Sequence, residues 1–367
     1  MLVAVTAAGT GACTPRAGAG LGSGGSEGGG ASSPPAPPGF LKGQLHLHSS
    51  NSGDSQTRPE DVVRWYAARK YDFIVFTDHN QVTNRSGSGA MLVVPGVELT
   101  QNVQRCQPPP PAGMHCLLHL NALFVTPPAG GAVPWPPPPA EPVAGAGARR
   151  YDIFARGLEA SRRLNGIAQL NHPNFDYAAD GSLVAALAGQ GLVLLEIANQ
   201  AWDSNNVPAD RRHASTEAIW DAALTAGAHV FATATDDAHH YDDAGAARAR
   251  GEEVFTGDRG FVLVRAEKSV AAIRAALLAG DFYASTGVLL SRAGRSGGSP
   301  GVLEIEVAAA SPGPHRFQLV GRGGQVLAQT EGRSARFDLA AARGGYGRAV
   351  VTDGGGRHAW LQPIWIP

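Results

Sequence analysis

From about Phe40 the chain repeats one pattern: a short apolar run, a polar motif at its end, then an amphipathic stretch. GQLHLH, residues 43–48, alternates with period two and predicts a strand. RPEDVVRWYAARK follows with Val62, Val63 and Tyr66 on one helical face and Pro59 suited to the first turn. FIVFTDHN is an apolar run of the kind that a buried parallel strand requires. MLVVPGVELT and LLHLNALFV read as two more strands, separated by a proline-rich loop. IFARGLEASRRLNG, STEAIWDAALTAGAH and SVAAIRAALLAG predict helices, while IAQLNHP, GLVLLEIANQ, VFATATDDAHH and GFVLVRA predict strands. Strands alternating with helices imply parallel βαβ units, and about seven of them in one domain point to a barrel.

The texture changes near residue 295. VLEIEVAAA, HRFQLVGRGG, GRSARFDLA, YGRAVVTDGGG and AWLQPIWI are short alternating strands joined by Gly-rich turns, which predicts a small antiparallel sandwich. His315 and His358 stand alone within it and are expected at its surface. At the other end, residues 14–38 are almost entirely Gly, Ala, Ser and Pro and predict a flexible tether. A second tract of this kind, at 127–147, predicts a surface excursion. The expected division is a leader and linker over 1–38, a barrel over 39–290 and a sandwich over 295–367.

The charge changes the picture by exclusion. With 30 basic and 31 acidic residues and a formal net charge of -1, the chain lacks the basic surplus of a protein that grips polymeric nucleic acid. A small-molecule substrate is the better expectation. No apolar run reaches the roughly 18 residues that span a bilayer. The opening MLVAVTAAGTGAC resembles the end of a bacterial lipoprotein signal, with Cys13 as the acylated residue, although no basic residue precedes the apolar stretch. It implies an extracytoplasmic protein held to the cell envelope by a lipid, against the alternative of an unprocessed cytoplasmic chain. Cys106 and Cys116 flank a proline-rich loop and read either as a disulfide or as two free buried thiols. The sequence carries no signal of oligomeric state.

Imidazoles and carboxylates collect at the ends of the apolar runs, where an α/β barrel places its active site. His46 and His48 are two apart on a strand and so share a face. Asp78 and His79 end the second strand, Glu98 the third, His172 the fifth and Glu196 the sixth; His119 lies within the fourth, and Asp236, Asp237, His239 and His240 close the seventh. Any one buried histidine is more often a satisfied core residue than a ligand. The coincidence carries the weight. Glu98 and Asp237 packed together without cations would repel and lose their solvation, and divalent metals remove that conflict.

At this point the chain resembles the polymerase-and-histidinol-phosphatase (PHP) family, through HLHSSNSGD, FTDHN, GVELT, HLNAL, NHPNF and TDDAHH between about residues 41 and 287. The resemblance implies an α/β fold with a distorted (β/α)7, TIM-like barrel and two or three divalent metal ions. It would make His46, His48, Glu98 and Asp237 the ligands of one metal. Glu98 would bridge to a second, held by His119 and His172, and a third would take His79, His239 and Asp54. Imidazole and carboxylate ligands without thiolate suit zinc first, then manganese or iron.

Clustered divalent ions favour hydrolysis, with an activated water as the nucleophile, and phosphate mono- or diesters fit them best. His240 and Asp236 are candidates for the acid that protonates the leaving oxygen, or else groups that orient a ligand. Arg211 and Arg212, after the sixth strand, are candidate phosphate contacts, against the reading of a solvated helix start. FYASTG, the sandwich and AWLQPIWI resemble the carbaryl-hydrolase-like branch of the family. That implies the alternative of a carbamate, amide or ester hydrolase on the same metals. A third reading is a secreted, non-catalytic binding module with a vestigial metal site.

Overall fold

The computed structural model describes residues 32–134 and 139–367. Cys13, most of the expected tether and the tip of the second proline-rich tract lie outside the described residues. The chain forms β1 (Leu41–Gln44), α1 (Pro59–Ala68), β2 (Phe73–Phe76), β3 (Leu92–Val103), β4 (Cys106–Gln107), β5 (Cys116–Leu123) and β6 (Ala148–Arg149). There follow α2 (Arg150–Arg163), β7 (Ile167–Leu170), α3 (Gly181–Ala188), β8 (Leu194–Asn199), α4 (Thr216–Thr225) and β9 (Phe231–Thr235). The series ends with α5 (Ala244–Ala249), β10 (Phe261–Val264), α6 (Val270–Ala279) and β11 (Phe282–Ser285). Pro59 opens α1. The hydroxyls of Ser215 and Ser269 accept from the amides of Ala218 and Ala272, satisfying donors that helix starts leave free.

The protein is mixed α/β around a large sheet in which β1, β2, β3, β5, β7, β8 and β9 run side by side. The pairs β1–β2, β2–β3, β7–β8 and β8–β9 are parallel, as the alternating pattern implies. β5 is the exception: it runs antiparallel to both β3 and β7. A parallel return needs a crossover, usually a helix, and the segment between β3 and β5 has none. It turns back as a hairpin whose connecting loop is closed by a disulfide between Cys106 and Cys116, Cα atoms 6.0 Å apart. Of the two readings of these cysteines, the pair is the one found. GFVLVRA also departs from the parallel series, since β10 lies antiparallel to β1 and to β11.

Beyond β1 and β9 the chain continues extended. The amide of Asp237 donates to the carbonyl of His46 at 3.0 Å, and that of His48 to Ala238 at 2.9 Å. These two bonds bring together segments that the sheet order leaves at a distance. Near the start of the described chain, the amide and hydroxyl of Ser33 donate to the Asp258 carboxylate, which also pairs with the buried Lys42 ammonium at 2.7 Å.

The tail comprises β12 (Leu290–Ser296), β13 (Ser299–Val307), β14 (His315–Val320), β15 (Val326–Gly332), β16 (Ser334–Asp338), β17 (Gly345–Asp353), β18 (His358–Leu361) and β19 (Ile364–Ile366). All its pairings are antiparallel. One sheet is β12–β13–β16, and Leu303, Ile305, Phe317, Phe337 and Val351 share a hydrophobic core between it and the other. That other sheet does not stand free: β18 pairs with β11, so it continues the central sheet. His315 is buried in this tail rather than at its surface, and His358 is half-buried against Trp360.

A buried ion pair fixes the tail to the helical layer. The Arg348 guanidinium on β17 forks onto Asp221 of α4, Nε to Oδ1 at 2.8 Å and Nη2 to Oδ2 at 2.6 Å, with Glu217 Oε1 also 2.8 Å from Nη2. Replacing one partner strands the other charge in the interior. Arg348→Leu is expected to lower unfolding free energy by about 3–5 kcal/mol in urea denaturation. The double variant Arg348→Leu/Asp221→Leu is expected to recover most of that loss.

Candidate metal centre

The strand geometry explains why these side chains meet. His46 and His48 follow β1 two positions apart and project inward, while Leu45 and Leu47 enter the hydrophobic core on other faces. Glu98, Thr100 and Asn102 share one face of β3 by the same period. His119 on β5 lies directly opposite Thr100, which brings its ring beside Glu98. Because β5 is reversed, His119 acts from within its strand rather than from an end. His172 and Asp237 each follow a strand with positive φ, 23° and 52°, a conformation costly for residues other than glycine.

All nine expected ligand residues come together, in three groups whose potential ligand atoms lie within 4.8 Å of one another: His46, His48 and Asp237; Glu98, His119 and His172; His48, Asp54, His79 and His239. Asp237 Oδ1 is 3.2 Å from His46 Nε2 and 3.1 Å from His48 Nε2. Glu98 joins the groups. Its Oε1 is 3.2 Å from His119 Nδ1 and 3.5 Å from His172 Nε2, and its Oε2 is 2.7 Å from His79 Nδ1. Both its oxygens also stand 3.6 Å from an imidazole of the first group. Asp54 Oδ2 lies 2.9 Å from His79 Nε2 and 3.4 Å from His239 Nε2. His48 therefore reaches toward the third group as well as the first.

The donor set fits divalent cations. His46 Nε2, His48 Nε2, Glu98 Oε2 and His172 Nδ1 are buried and make no hydrogen bond. Interior polar atoms left so are costly, and a cation among the first three would satisfy them. The outward nitrogens are held instead: His48 Nδ1 by Ser52 at 2.8 Å, and His119 Nε2 by Asn102 at 2.8 Å. His46 Nδ1 meets Glu196 Oε1 at 2.6 Å, and Glu196 is fully buried among Thr235, Gln169, Asn199 and the amide of His172. Such partners fix ring orientation and raise ligand basicity. The sequence marked Glu196 only as a strand-end carboxylate. Asn102 follows Glu98 and Thr100 in the same two-residue period, whereas Ser52 lies in a loop that no period marks.

Charge in the cluster is finely set. Burial works to lower the pKa of His46 and of His79, but the carboxylates outweigh it: Asp237, Glu196 and Glu98 for His46, Glu98 and Asp54 for His79. Both are raised well above the ordinary histidine value. Burial and the neighbouring His239 push His48 down to about 4. Burial opposes ionisation of Glu98, yet His79, His119 and His46 hold it well below the usual carboxylate range.

The four remaining candidates lie elsewhere. Asp236 points away from the ligands, toward the 258–260 turn. It accepts from the amides of Asp258, Arg259 and Gly260, from Gln44 Nε2 and from the Tyr66 hydroxyl. It anchors the 258–260 turn. His240 Nδ1 accepts from the amide of Phe255 at 3.2 Å, and its ring stacks on Phe255, so it too serves the scaffold. Arg211 is exposed, and the Arg212 side chain, 84% exposed, leans on Asp210 at 3.5 Å.

No family model and no curated protein matches the chain. Among solved structures it is similar to a two-domain protein from Bacteroides vulgatus described as containing a predicted PHP-like metal-dependent phosphoesterase. The identity is 16%, with 92% of this chain and 100% of that one covered, at a TM-score of 0.44. It is also similar to an amidohydrolase from Chromobacterium violaceum with bound sulfate and no metal, at 15% identity, 54% and 87% coverage and a TM-score of 0.34.

The raised His46 and His79 favour the protonated form when no cation is bound, and a nitrogen must lose its proton to solvent before its lone pair can hold a metal. Zinc binding at pH 7 is thus expected to release roughly one to two protons per chain, with affinity rising as pH rises. Calorimetry in two buffers of different ionisation enthalpy measures this directly.

Proposed function

We propose that this chain is a metal-dependent hydrolase of the PHP type, acting as a phosphoesterase on a small phosphate mono- or diester. The observation that carries the reading is the sharing of Glu98 and His48 between three adjacent ligand groups. Such sharing suits two or three cations close enough to act on one substrate. His46, His48, Asp237 and Glu98 would hold one ion, Glu98, His119 and His172 a second, and Asp54, His79 and His239 a third, with zinc favoured over manganese or iron for these ligands. When bound, such ions supply an acidified water and a Lewis acid for the oxygens that gain charge.

The chain's own residues set the approach. His46 and His48 are fully buried, whereas the side chain of Asp54 is 44% exposed and that of His79 24%. Substrate therefore reaches the cluster from the Asp54 side. We further infer that the central sheet is the wall of a closed barrel, supported by the bonds joining the continuations of β1 and β9. An envelope location, with a lipid on Cys13, is likewise a proposal; the disulfide supports an oxidising compartment.

A carbamate, amide or carboxyl-ester hydrolase is the second reading. It is favoured by one observation, that the Arg212 side chain leans on Asp210 instead of standing free for a phosphate. Both readings are tested by measuring metal content by mass spectrometry and turnover of p-nitrophenyl phosphate, bis-p-nitrophenyl phosphate and p-nitrophenyl acetate. Two or three metals with phosphate-ester turnover are expected, and His48→Ala is expected to lower kcat/KM at least about 100-fold. Turnover of the acetate alone would transfer the assignment to the second reading. Absence of retained metal and of activity with added metal would leave a non-catalytic binding module.

A further inference from the structure

His172 differs from the other ligand imidazoles in what holds it. The far nitrogens of His46, His48 and His119 are engaged by Glu196, Ser52 and Asn102, whereas His172 Nδ1 is buried and makes no hydrogen bond. Its ring is set by the backbone and by packing against Phe175 at 5.1 Å and His119 at 5.0 Å. That backbone is strained. His172, Asp176 and Tyr177 all have positive φ, at 23°, 49° and 53°. Such a segment keeps its shape only where its surroundings impose it.

The surroundings are supplied by the loop that the Cys106–Cys116 disulfide closes. β4, which carries Cys106, pairs with β6, and β6 leads directly into Arg150 at the start of α2. The Arg150 guanidinium is buried, and its described hydrogen bonds go to no carboxylate. Nε reaches Cys106 Sγ at 3.3 Å, while Nη1 donates to the carbonyls of Tyr177 and Ala178, the latter at 3.1 Å. A rigid planar fork is suited to holding two such directions at once. Next to Cys116, the amide of His115 donates to Asp176 Oδ2 at 2.7 Å, and His115 Nδ1 stands 3.3 Å from the same oxygen. Both strained residues beyond His172 are thus gripped from the disulfide loop. Tyr177 has a second support, since its ring stacks on His213 and its hydroxyl accepts from Asn205.

We propose that Arg150 is a positioning residue for His172, and that the disulfide-closed loop, acting through Arg150 and His115, sets the affinity of the cation site formed by Glu98, His119 and His172. The proposal rests on the metal-centre reading above and adds the device that tunes one site apart from the others. Arg150 touches neither cation nor substrate. Released from it, residues 176–178 relax toward ordinary φ and carry the His172 ring out of line with Glu98 and His119. His46 and His48 keep their own partners and their own ion.

Manganese is the probe, because it binds such ligands most weakly and is the easiest to titrate. Calorimetry compares wild type with Arg150→Ala, Asp176→Ala and Cys106→Ser/Cys116→Ser, then with His172→Ala alone and combined with Arg150→Ala. Wild type is expected to take two or three ions. Each of the first three changes is expected to weaken one ion about 10- to 100-fold and the rest less than about 3-fold. The weakened ion is the one lost in His172→Ala, so Arg150→Ala adds no further loss to that variant. Asp176 is partly exposed, so Asp176→Ala reports even where the other two changes fail to fold. Unchanged affinity in any folded variant of the three, equal weakening of every ion, or additive loss in the double variant overturns the proposal. A wild type that binds no manganese overturns the metal-centre reading, and this one with it.

Discussion

The structure depends on one buried carboxylate. Glu98 is ringed by His46, His48, His79, His119 and His172, each with a ring nitrogen within 3.6 Å. An interior carboxylate without compensating charge is severely destabilised, so these five rings have to arrive together. They are delivered by the segments around β1, β2, β5 and β7, while β3 carries Glu98 itself. The sheet that aligns those strands and the electrostatics of the cluster are thus two aspects of one requirement. Asp237 completes the arrangement from β9, where a strained backbone turns its carboxylate inward and leaves Asp236 to anchor the next turn.

The outer parts of the molecule protect this alignment. The β3–β5 hairpin holds Glu98 beside His119, and its loop is covalently closed. The tail adds strands to the same sheet through β18 and is pinned to α4 by Arg348. Glu196 couples three neighbours at once, since it orients His46, accepts the amide of His172 and accepts from Asn199, which also reaches Asp237. A change at Glu196 would therefore disturb two ligand groups without touching a cation.

Much of the cluster was legible because each ligand stands at or near the end of an apolar run, with same-face residues two apart. His46 with His48, and Glu98 with the later-recognised Asn102, follow that rule. Asp236 and Asp237 are consecutive and face different ways because the backbone takes a positive φ at Asp237, which no sequence period encodes. The direction of β5 was less accessible, because its apolar pattern is the same whichever way the strand runs and only the missing crossover helix betrays it. The place of Ser52 lay beyond reach, because it sits in an irregular loop where position comes from its hydrogen bond to His48 and no period encodes that.

The hairpin that carries Glu98 and His119 also divides the making of the centre in time. These two residues are near neighbours along the chain, and closing a short loop costs little entropy. The pairing of His46 with Asp237 joins segments separated by most of the ordered sequence, so it belongs to the slow, non-local part of folding. During synthesis the hairpin half can be assembled while β9 is still unmade. The half containing Asp237 has to wait for it, although all five imidazoles around Glu98 precede β9 in the chain.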